Sequence, residues 1–114
     1  MNILYAGSPD ISAKVLEDLC ELTKESPDFN IVGVLTNPPS AKGRHKELIP
    51  TEVAQSAVKY NIPVLEPEKL DAELREKVSA LNPDILVCFA YGKIFGPKFM
   101  ALFPQGGINL HPSL

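Results

Sequence analysis

The chain has 114 residues, 45% of them hydrophobic and 22% charged, a balance that suits one ordinary globular domain and excludes a disordered or fibrous segment. Eleven basic against fourteen acidic side chains leave a formal net charge of -3, which excludes a surface that is basic throughout and built to trap nucleic acid. No stretch approaches the ~20 consecutive apolar residues of a membrane span, and the apolar start Ile3 to Ala6 is too short for a signal peptide, so a cytoplasmic location is expected.

Asn2 to Ala6 reads as a strand that runs through Gly7 into a helix carrying Ile11, Val15, Leu16, Leu19 and Cys20 at helical spacing. Ser8 is suited to cap that helix, Pro9 to its first turn and Asp10 to the positive end of its dipole. Asn30 to Thr36 is rich in β-branched residues and predicts a second strand, after which Pro38, Pro39, Gly43 and Pro50 predict an irregular loop. A second helix is expected from Thr51 to about Asn61, with Val53, Ala54, Ala57 and Val58 as its apolar positions, followed by a short strand, Ile62 to Leu65.

Leu70, Leu74, Val78 and Leu81 mark a third amphipathic helix. Asp84 to Ala90 then forms the most hydrophobic strand, apolar on both sides, as expected at the centre of a parallel sheet covered by helices on both faces. A brief helix near Pro97 to Phe103 leads to a last strand, Gly107 to His111. The alternation predicts an α/β fold: a doubly wound, mostly parallel, Rossmann-like sheet of about five strands joined by right-handed crossovers. Cys20 and Cys88 lie in apolar stretches with no ligand at metal-binding spacing, so both are expected to be buried free thiols, and no metal is expected.

In such a sheet ligands collect at the carboxyl ends of the strands, which singles out residues 6 to 10, 90 to 97 and 108 to 114. Along the last strand side chains alternate, so Asn109 and His111 project to one side while Ile108 and Leu110 are expected to pack on the other, and Pro112 forces a turn. An imidazole that moves a proton beside an amide that donates to an oxyanion suits acyl transfer to an amine; the same pair can instead satisfy backbone groups at a strand end. The first turn has only Gly7 where a dinucleotide fingerprint needs three glycines, so a tight strand-to-helix turn is the plainer reading. Gly92 and Gly96 bracket Lys93, Ile94 and Phe95, where exposed backbone and apolar side chains can hold a flat heterocycle or form a plain connection. Lys42, Arg44 and Lys46 against Glu47 give the loop a local charge of +2 (three minus one), suited to phosphate contact or to a solvated loop.

Four segments together carry a resemblance. INLHPSL resembles the start of the Asn-x-His-x-Ser-Leu-Leu-Pro signature of the 10-formyltetrahydrofolate-dependent formyltransferases; ILYAGSPD, VCFAYGKIFGP and AKGRHKEL resemble the opening, the AYGxIL segment and the basic Gly-Arg loop of the branch that acts on methionyl-initiator tRNA. The resemblance spans all 114 residues and marks them as the N-terminal part of a catalytic domain, with the rest of that domain and a tRNA-binding C-terminal domain following. It implies Asn109 and His111 as catalytic residues, Tyr91, Gly92, Lys93, Ile94 and Phe95 with Ser113 and Leu114 as the folate site, and Lys42, Arg44 and Lys46 as tRNA contacts. It further implies a monomeric whole protein, and residues 1–114 that lack the aspartate which orients the family's histidine and are inactive alone. Another branch of the family, acting on a purine precursor or an amino sugar, stays open at this point, as does a non-catalytic nucleotide-binding or interaction module. Self-association of residues 1–114 through uncovered apolar surface is left open as well.

Overall fold

A computed structural model describes residues 1–42 and 47–110. Five parallel strands make the main sheet in the order β5-β2-β1-β6-β7. They are β1 (Asn2–Ala6), β2 (Asn30–Leu35), β5 (Val64–Leu65), β6 (Ile85–Phe89) and β7 (Gly107–Leu110). The chain runs outward from β1 through β2 to β5, then crosses back to β6 on the other side of β1. That reversal puts the topological switch between β1 and β6.

Four helices cover the two faces: α1 (Asp10–Lys24), α2 (Glu52–Lys59), α3 (Ala72–Ala80) and α4 (Pro97–Met100). Alternation along the strands builds two cores. Tyr5, Val34 and Phe89 pack with Ala13 and Leu16 of α1 and Val53 and Ala57 of α2. Leu4, Ala6, Leu35, Leu86 and Cys88 pack on the opposite face with Leu74 and Val78 of α3 and Phe99 of α4. Leu4, Leu16 and Leu35 are fully buried, each contributing roughly 1.5–3 kcal/mol relative to an exposed side chain. The doubly wound parallel sheet expected from the alternating pattern is the one observed, and β6, apolar on both sides, lies inside it. Cys20 and Cys88 are both free and buried.

Local differences have physical causes. Residues 37 to 50 are not wholly irregular, because β3 (Ser40–Lys42) and β4 (Glu47–Ile49) pair antiparallel. Ser8 does not cap α1: the N-cap is Pro9, with no side-chain cap bond, and Asp10 accepts instead from the amide of Ile11 at 2.8 Å. The Ser8 hydroxyl is engaged by β2's exit, as an acceptor from the backbone amide of Asn37 at 3.2 Å. Thr51 does cap α2, its hydroxyl accepting from the amide of Ala54 at 3.1 Å, and Asp71 caps α3 by accepting from the amide of Leu74 at 3.0 Å. β2, β5, α4 and β7 are shorter than the expected spans of 30–36, 62–65, 97–103 and 107–111. Thr36 and Pro63 still make backbone hydrogen bonds with the neighbouring strand just outside the assigned spans, and residue 111 falls outside the described residues.

Gly7 is needed for space. A Cβ there would stand 1.9 Å from the Ser12 hydroxyl oxygen and 2.6 Å from the carbonyl oxygen of Phe89, so only glycine lets β1 turn into α1 beneath the end of β6. The Ser12 hydroxyl, fully buried, donates to that same carbonyl at 2.7 Å.

Candidate functional site

The carboxyl ends of β6 and β7 frame a cleft of about 560 Å³, within the roughly 300–1,000 Å³ usual for small-molecule sites. Leu86 and Cys88 of β6, Tyr91 to Phe95, Met100 and the four residues of β7 line it. Register explains why Asn109 is there: it pairs with Cys88, so both side chains leave the sheet on the α3/α4 side, while Ile108 and Leu110 pair with Val87 and Phe89 and point the other way. The expected alternation is therefore present, but Ile108 and Leu110 do not pack as expected; they remain 49% and 38% exposed, because among the described residues no helix covers that side of the edge strand.

Seven of the expected site residues lie among the described ones. Tyr91, Gly92, Lys93, Ile94, Phe95 and Asn109 all line the one cleft. Lys42 ends β3, in the hairpin that leaves the carboxyl end of β2. His111, Ser113 and Leu114, and Arg44 and Lys46, lie outside the described residues. Among the described residues no cluster of three His, Cys, Asp or Glu side chains is gathered to hold a metal ion. Likewise, no helix among them is long and apolar enough to cross a membrane.

Tyr91 and Phe95 of the cleft wall begin a run of rings four residues apart that continues into the core. Tyr91 stacks on Phe95 with centroids 5.6 Å apart, Phe95 on Phe99 at 5.0 Å, and Phe99 meets Phe103 at 5.3 Å in a tilted pair. Ring pairs of this kind are worth about 0.5–1.5 kcal/mol beyond the area they bury. Tyr91 is nearly fully buried, and burial pushes its phenol up to about 12, so it stays protonated; its hydroxyl has no hydrogen-bond partner among the described residues. Burial likewise raises the Cys88 thiol, which keeps it neutral and a poor nucleophile. Among the described residues that line the cleft the charged one is Lys93, whose ammonium lies 5.4 Å from the centroid of the Tyr91 ring and donates to the Asn37 carboxamide oxygen.

The turn that carries these groups is strained. Ala90 sits at φ 56, a left-handed conformation that costs an L-residue about 1–2 kcal/mol, and Gly92 at φ 93. Bonds from neighbouring strand exits hold it: the Ser8 amide donates to the Ala90 carbonyl at 3.1 Å, and the Asn37 amide nitrogen donates to the Tyr91 carbonyl at 2.8 Å. Ser8, Asn37, Cys88 and Met100 were not legible as site residues. For Ser8, Asn37 and Cys88 a position at or just beyond a strand end was a signal, while Met100 ends α4; the partners of all four are distant in sequence.

A doubly wound parallel sheet with a preformed cleft beside its switch point is the architecture in which α/β domains commonly bind small molecules. The family model for formyl transferase matches residues 1–114, and the chain belongs to that family. It is 45% identical over 122 residues to a methionyl-tRNA formyltransferase of Treponema denticola, covering 100% of this chain and 36% of that protein. It is 41% identical over 114 residues to one of Borrelia hermsii, covering 100% of this chain and 35% of that protein. The chain thus spans little more than a third of the length of these curated relatives. Among solved structures, a phosphoribosylglycinamide formyltransferase from Bacillus halodurans superposes with a TM-score of 0.74 at 17% identity, covering 100% of this chain and 57% of that one. A glycinamide ribonucleotide transformylase from Geobacillus kaustophilus gives a TM-score of 0.73 at 16% identity, covering 99% and 58%. At these identities the two structures speak for the fold alone.

Proposed function

We propose that the whole protein transfers a formyl group from 10-formyltetrahydrofolate to the amine of methionyl-initiator tRNA in the cytoplasm, acting as a monomer. Residues 1–114 contribute the donor cleft and the start of the catalytic strand. The geometric observation that carries the reading is that Asn109 lines the same cleft as Tyr91 to Phe95, so an amide donor and a surface for a flat heterocycle face one space. The printed function of relatives sharing 45% and 41% of residues across the whole chain supports the choice of acceptor.

In this reading the pterin lies against Tyr91 to Phe95, and Ser113 and Leu114 are further folate contacts. The acceptor amine attacks the formyl carbon; the carbonyl π electrons move to oxygen, and the Asn109 amide donates to the resulting oxyanion. His111 takes the proton from the attacking nitrogen and returns it to N10 of the folate as the carbon–N10 bond breaks. Lys42, Arg44 and Lys46 contact the acceptor end of the tRNA through its phosphates. Residues 1–114 cover 36% and 35% of the two curated relatives, so turnover is assigned to the whole protein and not to these residues alone.

The test is a formyl-transfer assay on the full-length protein with methionyl-initiator tRNA and glycinamide ribonucleotide as alternative acceptors. Formylated methionyl-tRNA is the expected product. Formylation of glycinamide ribonucleotide in preference to the tRNA would overturn the choice of acceptor, and transfer to neither would overturn the activity.

A further inference from the structure

Asn37 is the first residue beyond the Thr36 that ends the β2 ladder, and it stands at the root of the β3–β4 hairpin. It does not line the cleft. Its carboxamide nevertheless uses its hydrogen-bonding groups on the turn that does. The amide nitrogen donates to the Tyr91 carbonyl at 2.8 Å and to the Ser8 hydroxyl at 3.0 Å, while the carboxamide oxygen accepts from the Lys93 ammonium. Its own backbone amide donates to Ser8 as well, at 3.2 Å, which anchors the side chain to the exit of β1.

This arrangement admits one orientation of the amide. An ammonium can only donate and a carbonyl can only accept, so the oxygen must face Lys93 and the nitrogen must face Tyr91. The turn so gripped holds the strained residue Ala90, at φ 56, beside Gly92 at φ 93, which glycine adopts without strain. Strained backbone persists only where its surroundings over-determine it. Asn37 supplies that constraint at Tyr91 and fixes the direction of Lys93 across the face of the Tyr91 ring.

We propose that Asn37 is a positioning residue for the cleft: from the root of the hairpin it holds the 90–93 turn and the Lys93 ammonium in the arrangement that receives the folate donor. The assignment rests on the donor-site reading above. It also links the basic hairpin to the donor cleft through a single side chain.

Two measurements on the full-length protein test it: binding of 5-formyltetrahydrofolate, a stable reduced folate, and hydrogen exchange of the backbone amides of residues 91–95. Asn37→Leu keeps the side-chain shape and removes the hydrogen bonds. It is expected to weaken binding about tenfold, the scale of one or two lost hydrogen bonds, and to speed exchange locally in 91–95. Asn37→Gln keeps the same donors and acceptor and is expected to recover most of the affinity. Affinity unchanged in Asn37→Leu would overturn the assignment and leave the donor-site reading standing; so would a loss shared by Asn37→Gln and accompanied by exchange speeding throughout the fold. Absence of folate binding in the unaltered protein would overturn the donor-site reading, and the assignment with it.

Discussion

The hydroxyls of Thr36 and Thr51 meet at 2.5 Å, closing the base of the hairpin between them. Thr36 is fully buried, and the same Thr51 hydroxyl caps α2. One small side chain therefore ties the exit of β2 to the entry of a helix. Thr51→Val should lose both roles and destabilise the fold by about 1–2 kcal/mol, since a cap is worth ~1 kcal/mol and the buried Thr36 hydroxyl keeps only its 3.4 Å bond to the Ser8 hydroxyl. Urea unfolding of the variant checks it; an unchanged midpoint would show that the hairpin base is closed by something else.

Gly7→Ala tests the contact between β1, α1 and β6. The added carbon meets a buried hydroxyl and a backbone carbonyl, and the carbonyl belongs to a central strand and cannot swing aside. Destabilisation at the upper end of the roughly 1–3 kcal/mol usual for overpacking is expected, read by thermal or urea unfolding. Gly96→Ala, where a Cβ meets nothing within 4 Å, is the control and should lower the unfolding midpoint far less, by no more than the loss of a glycine N-cap on the short α4.

Asn109→Ala is expected to separate activity from folding. The residue is exposed, so stability should move by less than about 0.5 kcal/mol. Removing an oxyanion donor should lower the formyl-transfer rate of the whole protein by on the order of a hundredfold. A rate within threefold of the unaltered protein would remove Asn109 from the mechanism.

Alkaline pH should expose the two buried phenols. Tyr5 and Tyr91 are each pushed by burial from 10.0 to about 12. The unfolded chain therefore releases these protons first, and the stability they contribute is fully present below pH ~10 and lost as pH rises through the folded value. Unfolding midpoints measured across that window should fall, and Tyr91→Phe should shallow the fall. At neutral pH the same variant should be neutral or slightly more stable, because it deletes a buried hydroxyl that has no partner among the described residues.

Residues 1–114 by themselves are expected to associate through β7, an edge strand whose outward face shows Ile108 and Leu110. Sedimentation of this segment should depend on concentration. Ile108→Lys together with Leu110→Lys should remove that dependence; association that survives the pair would locate the contact elsewhere.

Much of the architecture was written in local pattern. The apolar run 85–89 and the spacing of Leu74 and Val78 each obey a period that fixes an element regardless of its neighbours. The hairpin escaped because two three-residue strands of mixed polarity are too short to show a period of two. Ser8 looked like a cap because Ser before Pro-Asp is a cap signal; only the approach of Asn37 from another strand redirects its hydroxyl. For the site, Asn109 and the 91–95 segment were legible from position and resemblance. Asn37 was not, since nothing in residues 36–39 announces a partner more than fifty positions downstream.

The rings at 91, 95, 99 and 103, in contact one after another, make the wall of the cleft continuous with the hydrophobic interior. Tailoring this protein to a bulkier or slimmer ligand by trimming those rings would therefore soften the whole molecule at the same time. Ile94, 94% exposed on the rim, carries no such obligation, so new preferences can be written there at little risk to folding.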